Sequence, residues 1–173
     1  NGNYGTILYL LYSRAVWKYY NSSGSKKQPI PTENSLEVKK MNEVVTFLNE
    51  NPVQYLATVG RDGKAKCRPF MFAGEMDSRL WFCTNNQKDV YQDMQANPYV
   101  EVSVSSPAYA WIRLNGKAVF ENNMPVKEMC IQNPIVKGQY QTADNPIFEV
   151  FYLADAHAVI ADFSGNPPQE YDL

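Results

Sequence analysis

The chain has 173 residues, 45% of them hydrophobic and 13% aromatic, enough apolar side chain to bury the core of one domain. Its formal net charge is −2 with a pI near 5.4, which speaks against broad electrostatic binding to nucleic acid. The charge is uneven: residues 28–173 carry 12 of the 16 basic and all 18 acidic residues, a net of −6.

Tyr4 to Tyr20 is dense in Ile, Leu, Tyr and Trp, with only Arg14 and Lys18 charged, and Asn21-Ser22-Ser23-Gly24-Ser25-Lys26-Lys27 follows as a linker-like stretch. The apolar run is interrupted and short of the about 20 residues a membrane span needs. Its charges follow the apolar residues and no small-x-small cleavage site is evident, unlike a secretory leader. Three readings stand for it: a helix packed on the domain or on a second subunit, a peripheral membrane anchor through residues 4–20, or an extension ahead of the domain. An extension packed on a neighbouring surface is favoured over membrane contact. Residues 1–32 are thus read as N-terminal extension and linker, and residues 33–173 as the folded domain.

Glu33 to Asn49, apolar at Leu36, Met41, Val44, Val45 and Leu48, reads as an amphipathic helix. Val53 to Val59 is rich in β-branched and aromatic residues, and Ala65 to Phe72 resumes after Gly60-Arg61-Asp62-Gly63, an Asp-Gly hairpin signal. Gly74 to Ser78 is a second turn cluster, and Arg79 to Cys83 a short apolar strand that ends in Thr84-Asn85-Asn86-Gln87. A helix from Gln87 to Ala96, capped by Asn85 or Asn86, stops at Asn97-Pro98. A long strand spans Tyr109 to Phe120, with a bend or bulge at Asn115-Gly116. Pro125 to Gln132 reads as a short helix, Lys137 to Pro146 as irregular chain bordering a cleft, and Ile147 to Leu153 and Ala156 to Phe163 as two closing strands.

The start of the Gln87–Ala96 helix carries unpaired N–H groups and a positive dipole end, which suit an anion. Lys88 adds a charge, Thr84 and Asn85 can donate from the strand end, and Arg68 offers a forked guanidinium from the strand Ala65 to Phe72. Together these would hold a phosphate monoester. Each also has a plainer reading: a cap, a solvated lysine, a surface ion pair.

Cys67, Cys83 and Cys130 are odd in number and widely spaced, without a Cys-x-x-Cys or Cys/His cluster, so neither a disulfide framework nor a metal site is indicated. Cys67 and Cys83 are expected on neighbouring strands as buried free thiols, which fits a reducing, cytoplasmic setting. His157, the single histidine, lies among small and apolar residues and reads as structural.

The ordered set Leu56-Ala57-Thr58-Val59, Asp62-Gly63-Lys64, Cys67-Arg68-Pro69-Phe70, Leu80-Trp81-Phe82-Cys83-Thr84-Asn85, Lys88, Asn97-Pro98 and Trp111-Ile112-Arg113-Leu114-Asn115-Gly116-Lys117-Ala118 resembles the pyridoxamine 5'-phosphate oxidase-like FMN-binding split-barrel proteins. It is most similar to their short bacterial, nitroimidazole-resistance-type branch, over about Met41 to Phe163. The resemblance implies a β-dominated α+β fold, a six- or seven-stranded antiparallel split barrel with a few short helices. It also implies a homodimer with FMN in clefts at the subunit interface. On this resemblance Arg68, Pro69, Phe70 and Met71 run along the flavin, Cys83, Thr84 and Asn85 contact ribityl and phosphate, and Lys88 is the phosphate lysine. Gln87 stands where the oxidases often have Arg. Trp111, near a common flavin-contacting position, is either a ring neighbour or a core or interface residue.

The Arg-x-His pattern that the vitamin B6 enzymes carry near their C-terminus is missing from Gly165 to Leu173. The expected function is therefore an FMN oxidoreductase moving electrons from a reduced nicotinamide or similar donor to a small molecule in the cleft, rather than a pyridoxamine phosphate oxidase. The alternative is a non-catalytic protein binding flavin, F420 or haem on the same barrel.

Overall fold

The computed structural model describes residues 33–173, so the expectations for residues 1–32 lie outside the described part. Its elements are α1 (Glu33–Glu50), β1 (Gln54–Val59), β2 (Ala65–Phe70), β3 (Phe72–Met76), β4 (Arg79–Asn85), α2 (Asp89–Ala96), β5 (Tyr99–Ser105), β6 (Trp111–Phe120), α3 (Met124–Ile131), α4 (Pro134–Tyr140), β7 (Phe148–Ala161) and β8 (Gln169–Asp172). All strand pairings are antiparallel, in the order β2-β1-β5-β6-β7-β4-β3, and β8 adds to β7. Seven strands thus make the path that the sequence suggested, and the chain's last residues supply an eighth.

The path's two ends are consecutive in the chain and meet at Met71, so the sheet rolls on itself. Phe70 of β2 lies 6.3 Å from Phe82 and 6.0 Å from Phe151, ring centre to ring centre, across the interior. Gln54 fixes this corner. Fully buried, it donates Nε2 to the carbonyls of Leu48 and Asn51 and accepts the Phe72 N–H at 2.9 Å, satisfying its amide while joining α1, β1 and the β2–β3 break. That break divides the single strand expected over Ala65 to Phe72.

Alternation along the strands sorts apolar residues onto two faces. Inside, Leu56, Phe82, Val102, Ile112, Leu114, Phe151 and Ala158 form the main core, closed by Val44 and Leu48 of α1 and by Val90 and Met94 of α2. Outside β4 and β7, Trp81, Val150 and Phe148 pack under Val126 and Cys130 of α3 and Val136 and Tyr140 of α4. Asn133 caps α4 by accepting the Ile135 N–H at 2.9 Å, and Pro134 stands at its first position. The helix therefore begins ahead of the segment expected to be irregular and takes in its first four residues, Lys137–Tyr140.

The hairpin after β1 is as expected, with Gly63 at φ 74°. The next turn is carried by Asp77 and Ser78, at φ 54° and 57°, with Gly74 inside β3. The two closing strands are one strand, β7. Register against β6 shifts between Asn115 and Lys117, which face His157 and Ala154, so β7 holds one extra residue around Asp155, at φ 51°. Gly116 sits opposite. A Cβ there would lie 3.0 Å from the Ala154 carbonyl oxygen and 3.2 Å from Leu153 Cβ. The bulge read from Asn115-Gly116 is present, with its surplus residue on the partner strand. Among the described residues no helix is long and apolar enough to cross a membrane.

Candidate functional site

The end of β4 and the start of α2 meet in a polar junction next to the barrel core. Asn85 Oδ1 accepts the Gln87 N–H at 3.0 Å, and Asn86 Nδ2 donates to the Pro146 carbonyl and Glu149, both at 3.0 Å. Neither asparagine caps the helix as expected. Lys88 holds the N-cap position without a side-chain cap bond, and the helix starts at Asp89, two residues later than the sequence suggested. Of the first-turn N–H groups of α2, that of Tyr91 donates to the Lys88 carbonyl at 3.1 Å, and those of Asp89 and Val90 have no backbone acceptor. The Lys88 and Gln87 side chains are exposed, and Lys88 makes no ion pair among the described residues. The Asp89 carboxylate, which would repel an anion here, is drawn off by Arg61 at 2.6 Å.

Four residues before Lys88, the Thr84 hydroxyl is buried with no hydrogen-bond partner. Thr84 shares a strand face with Leu80 and Phe82, while Cys83 and Asn85 turn to the α3–α4 layer. There burial pushes the Tyr140 hydroxyl up to about 12. The neighbouring Cys130 thiol, aided by the Lys88 charge, draws the Cys83 thiol below its ordinary range against the opposing effect of burial.

Arg68 lies on the flank of α2. Its Nη1 donates to Thr58 Oγ1 at 2.7 Å and to the Leu56 carbonyl at 3.3 Å, and Nη2 is 3.9 Å from Asp93. Asp93 is five residues beyond Lys88, about 7.5 Å along the helix, so the two cations flank one helix without converging in a cavity described here. Phe70, on the same strand face, is in the main core, Pro69 is exposed on the opposite face, and Met71 joins the α3–α4 layer with its sulfur 3.7 Å from Asn133 Nδ2.

Trp111 stands elsewhere. Its β6 position pairs with Ala161 at one end of β7, whereas Asn85 pairs with Phe148 at the other. Thirteen residues of strand separate those ends, about 40 Å along the chain at 3.3 Å per residue. One protomer cannot bring Trp111 to Lys88. Its ring instead meets Phe163, with centroids 5.1 Å apart.

Cys67 is exposed on β2, which is not a neighbour of β4; the thiol beside Cys83 is Cys130. This corrects the expectation that Cys67 and Cys83 lie buried on neighbouring strands. The difference arises because the β2–β3 corner sends β2 and β4 to different parts of the sheet. His157 is structural as expected: its Nδ1 lies 2.8 Å from Asp172 of β8. Asp93 and Thr58, which hold Arg68, and Cys130 carried no sequence signal of their own.

The outer face of β2, β1 and β5 is unusually apolar for exposed sheet. Tyr55, Val59 and Tyr99 are 48%, 38% and 61% exposed, beside exposed Cys67 and Pro69.

Comparison with known proteins matches residues 41–157 to the family described as pyridoxamine 5'-phosphate oxidase. A NimC/NimA family protein from Clostridium acetobutylicum has a similar crystal structure. It is 30% identical with a TM-score of 0.72, over 80% of this chain and 95% of that one. A pyridoxamine 5'-phosphate oxidase-related, FMN-binding protein from Nostoc punctiforme shares the fold, at 15% identity and a TM-score of 0.55 over 84% and 90% of the chains. The pyridoxine/pyridoxamine 5'-phosphate oxidase of Chromobacterium violaceum is 34% identical over 80 residues, 45% of this chain and 38% of that enzyme's length.

Proposed function

Because the chain belongs to the pyridoxamine 5'-phosphate oxidase family, we propose that residues 33–173 bind FMN between two copies of the chain. The holoprotein would move electrons from a reduced nicotinamide or similar donor to a small molecule in the cleft. The observation that carries this reading is the Lys88 ammonium, free of ion pairs among the described residues, at the uncapped start of α2 with the partnerless Thr84 hydroxyl four residues before it. That donor set fits a phosphate monoester: a full charge, first-turn N–H groups and a strand-end amide.

FMN supplies two-electron chemistry when bound. The chain's own residues bind and orient. Lys88 neutralises the phosphate, Asn85 is held in place by the Gln87 N–H on its Oδ1, and Arg61 keeps the Asp89 charge from opposing the anion. Arg68, fixed by Thr58 and Asp93, sets the strand Arg68–Met71 against α2, and Cys83 borders the ribityl side. Trp111 reaches the flavin only from a second copy, given its place at the far end of β7. The exposed apolar face of β1, β2 and β5 supports such a pairing. Residues 1–32 are an extension to this unit.

Flavin fluorescence titration of the purified protein tests the binding, with sedimentation analysis of the same sample. Expected are stoichiometric quenching and a dimer. Anaerobic oxidation of NADH or NADPH by the holoprotein with an artificial acceptor then tests the electron transfer. A protein that leaves FMN fluorescence unchanged overturns the proposal; one that binds FMN but reacts with no donor is a carrier.

A further inference from the structure

Lys127 is the one buried cation among the described residues, at 7% exposure, and its side chain makes no ion pair or hydrogen bond with any of them. It leaves α3 on the side shared with Val126 and Cys130, which packs on β4 and β7. Its Nζ lies 5.9 Å from the centre of the Phe148 ring, at the outer edge of a cation–π contact. An ammonium withdrawn from water for so weak a contact destabilises the fold unless an anion comes to it.

Phe148 also locates that ammonium. It is the register partner of Asn85, and both side chains turn to the α3–α4 layer, so Lys127 enters the layer at the strand end next to Lys88. Glu149, beside Phe148 in the chain, faces the other way with Thr84 and is bonded to Asn86 at 3.0 Å. Arg68 is committed to Thr58 and Asp93, and Gln87 brings no charge. Lys88 therefore stands alone against a phosphate monoester, which carries about 1.5 to 2 negative charges at pH 7.

We propose that Lys127 is the second cation of the FMN phosphate site, acting from α3 as Lys88 acts from the start of α2. Given the FMN binding proposed for this chain, on which this role rests, Lys127 supplies the charge that Gln87 does not. The phosphate in turn gives the buried ammonium the acceptor it lacks, and ties α3 to the end of β4.

Titrations of FMN and riboflavin into the full chain, followed by flavin fluorescence, test this role in the parent and in Lys127→Met and Lys127→Arg. Riboflavin has the same ring and ribityl chain without the phosphate. Lys127→Met should lose about tenfold or more in FMN affinity, the loss of one charge-assisted bond, and keep its riboflavin affinity. Lys127→Arg, which keeps the charge, should retain most of the FMN affinity. Where riboflavin binds too weakly to follow, the contrast between Lys127→Met and Lys127→Arg decides, and equal losses in the two overturn the role. Should Lys127→Met not fold, Lys127→Gln takes its place. The role is overturned, with the flavin reading intact, if Lys127→Met binds FMN as tightly as the parent. It is also overturned if FMN and riboflavin weaken together, the mark of a lysine whose stem merely packs. A parent chain that binds neither flavin overturns both.

Discussion

One carboxylate oxygen of Asp93 accepts both the backbone N–H and the guanidinium Nε of Arg61, each at 3.1 Å. The other lies 3.9 Å from Nη2 of Arg68. A buried acid on α2 thereby ties down the β1–β2 turn and the strand that carries Arg68.

Asp93→Ala should destabilise the domain by about 2–3 kcal/mol. This is below the range for breaking a fully buried pair, because Arg61 is half in solvent and its other bond, to Asp89, survives. Urea unfolding measures it. A loss under about 0.5 kcal/mol, the size of an ordinary surface substitution, would mean the junction is held by apolar contacts alone.

Lys88→Ala should weaken FMN binding at least about tenfold, the loss of one charge-assisted hydrogen bond. Lys117→Ala should leave it unchanged, since the Lys117 ammonium is bonded to Asp155 at 2.8 Å on another part of the sheet. Flavin fluorescence titration of both variants separates them; equal affinities would reject the Lys88 site.

Gly116→Ala should cost about 1–3 kcal/mol, as the added methyl meets the Ala154 carbonyl and Leu153 within the tightest part of the sheet. Gly138→Ala, on α4 with nothing within 4 Å of its new methyl, should instead stabilise by about 0.5–1 kcal/mol through helix propensity. Thermal or urea unfolding of the two variants should move in opposite directions.

Alkaline pH should erode stability through two tyrosines. Burial, with the bond to Glu43 at 2.7 Å, pushes Tyr171 up to about 12, and burial does the same for Tyr140. Between an unfolded value near 10 and about 12 the folded state holds the extra protons, so stability falls as pH rises through that window and is complete below it. Tyr171→Phe should flatten part of the slope in unfolding measured from pH 9 to 12. An unchanged slope would show that Tyr171 titrates alike in both states.

The sequence made the β1–β2 hairpin, the strand before Thr84 and the helix after it legible, because Asp-Gly, Asn-Pro and period-two apolar runs act locally. It hid what depends on distant partners. Nothing in Gln169–Asp172 marks a strand; it becomes one by pairing with β7 and lodging Tyr171 in the core. Pro134 reads equally as the end of one helix and the first residue of the next. Of the candidate site, Thr84 and Asn85 end β4 and Lys88 precedes α2 at the junction read from the sequence, with Thr84 and Asn85 on opposite strand faces. The direction of Arg68 was set by Asp93 and Thr58, residues 25 and 10 positions away in the chain, which no local pattern could reveal.

The surplus residue at Asp155 reverses the inward and outward rule halfway along β7. Phe151 and Leu153 face inward before it, and Ala156 and Ala158 face inward after it. Deleting Asp155 itself would restore plain alternation and leave Ala156, Ala158 and Ile160 inward, removing only the bulge opposite Gly116. A deletion elsewhere in β7, with the bulge kept, would turn one half of the strand inside out. Insertions and deletions belong in the connection over residues 142–147, where the chain can change length without turning a barrel wall inside out.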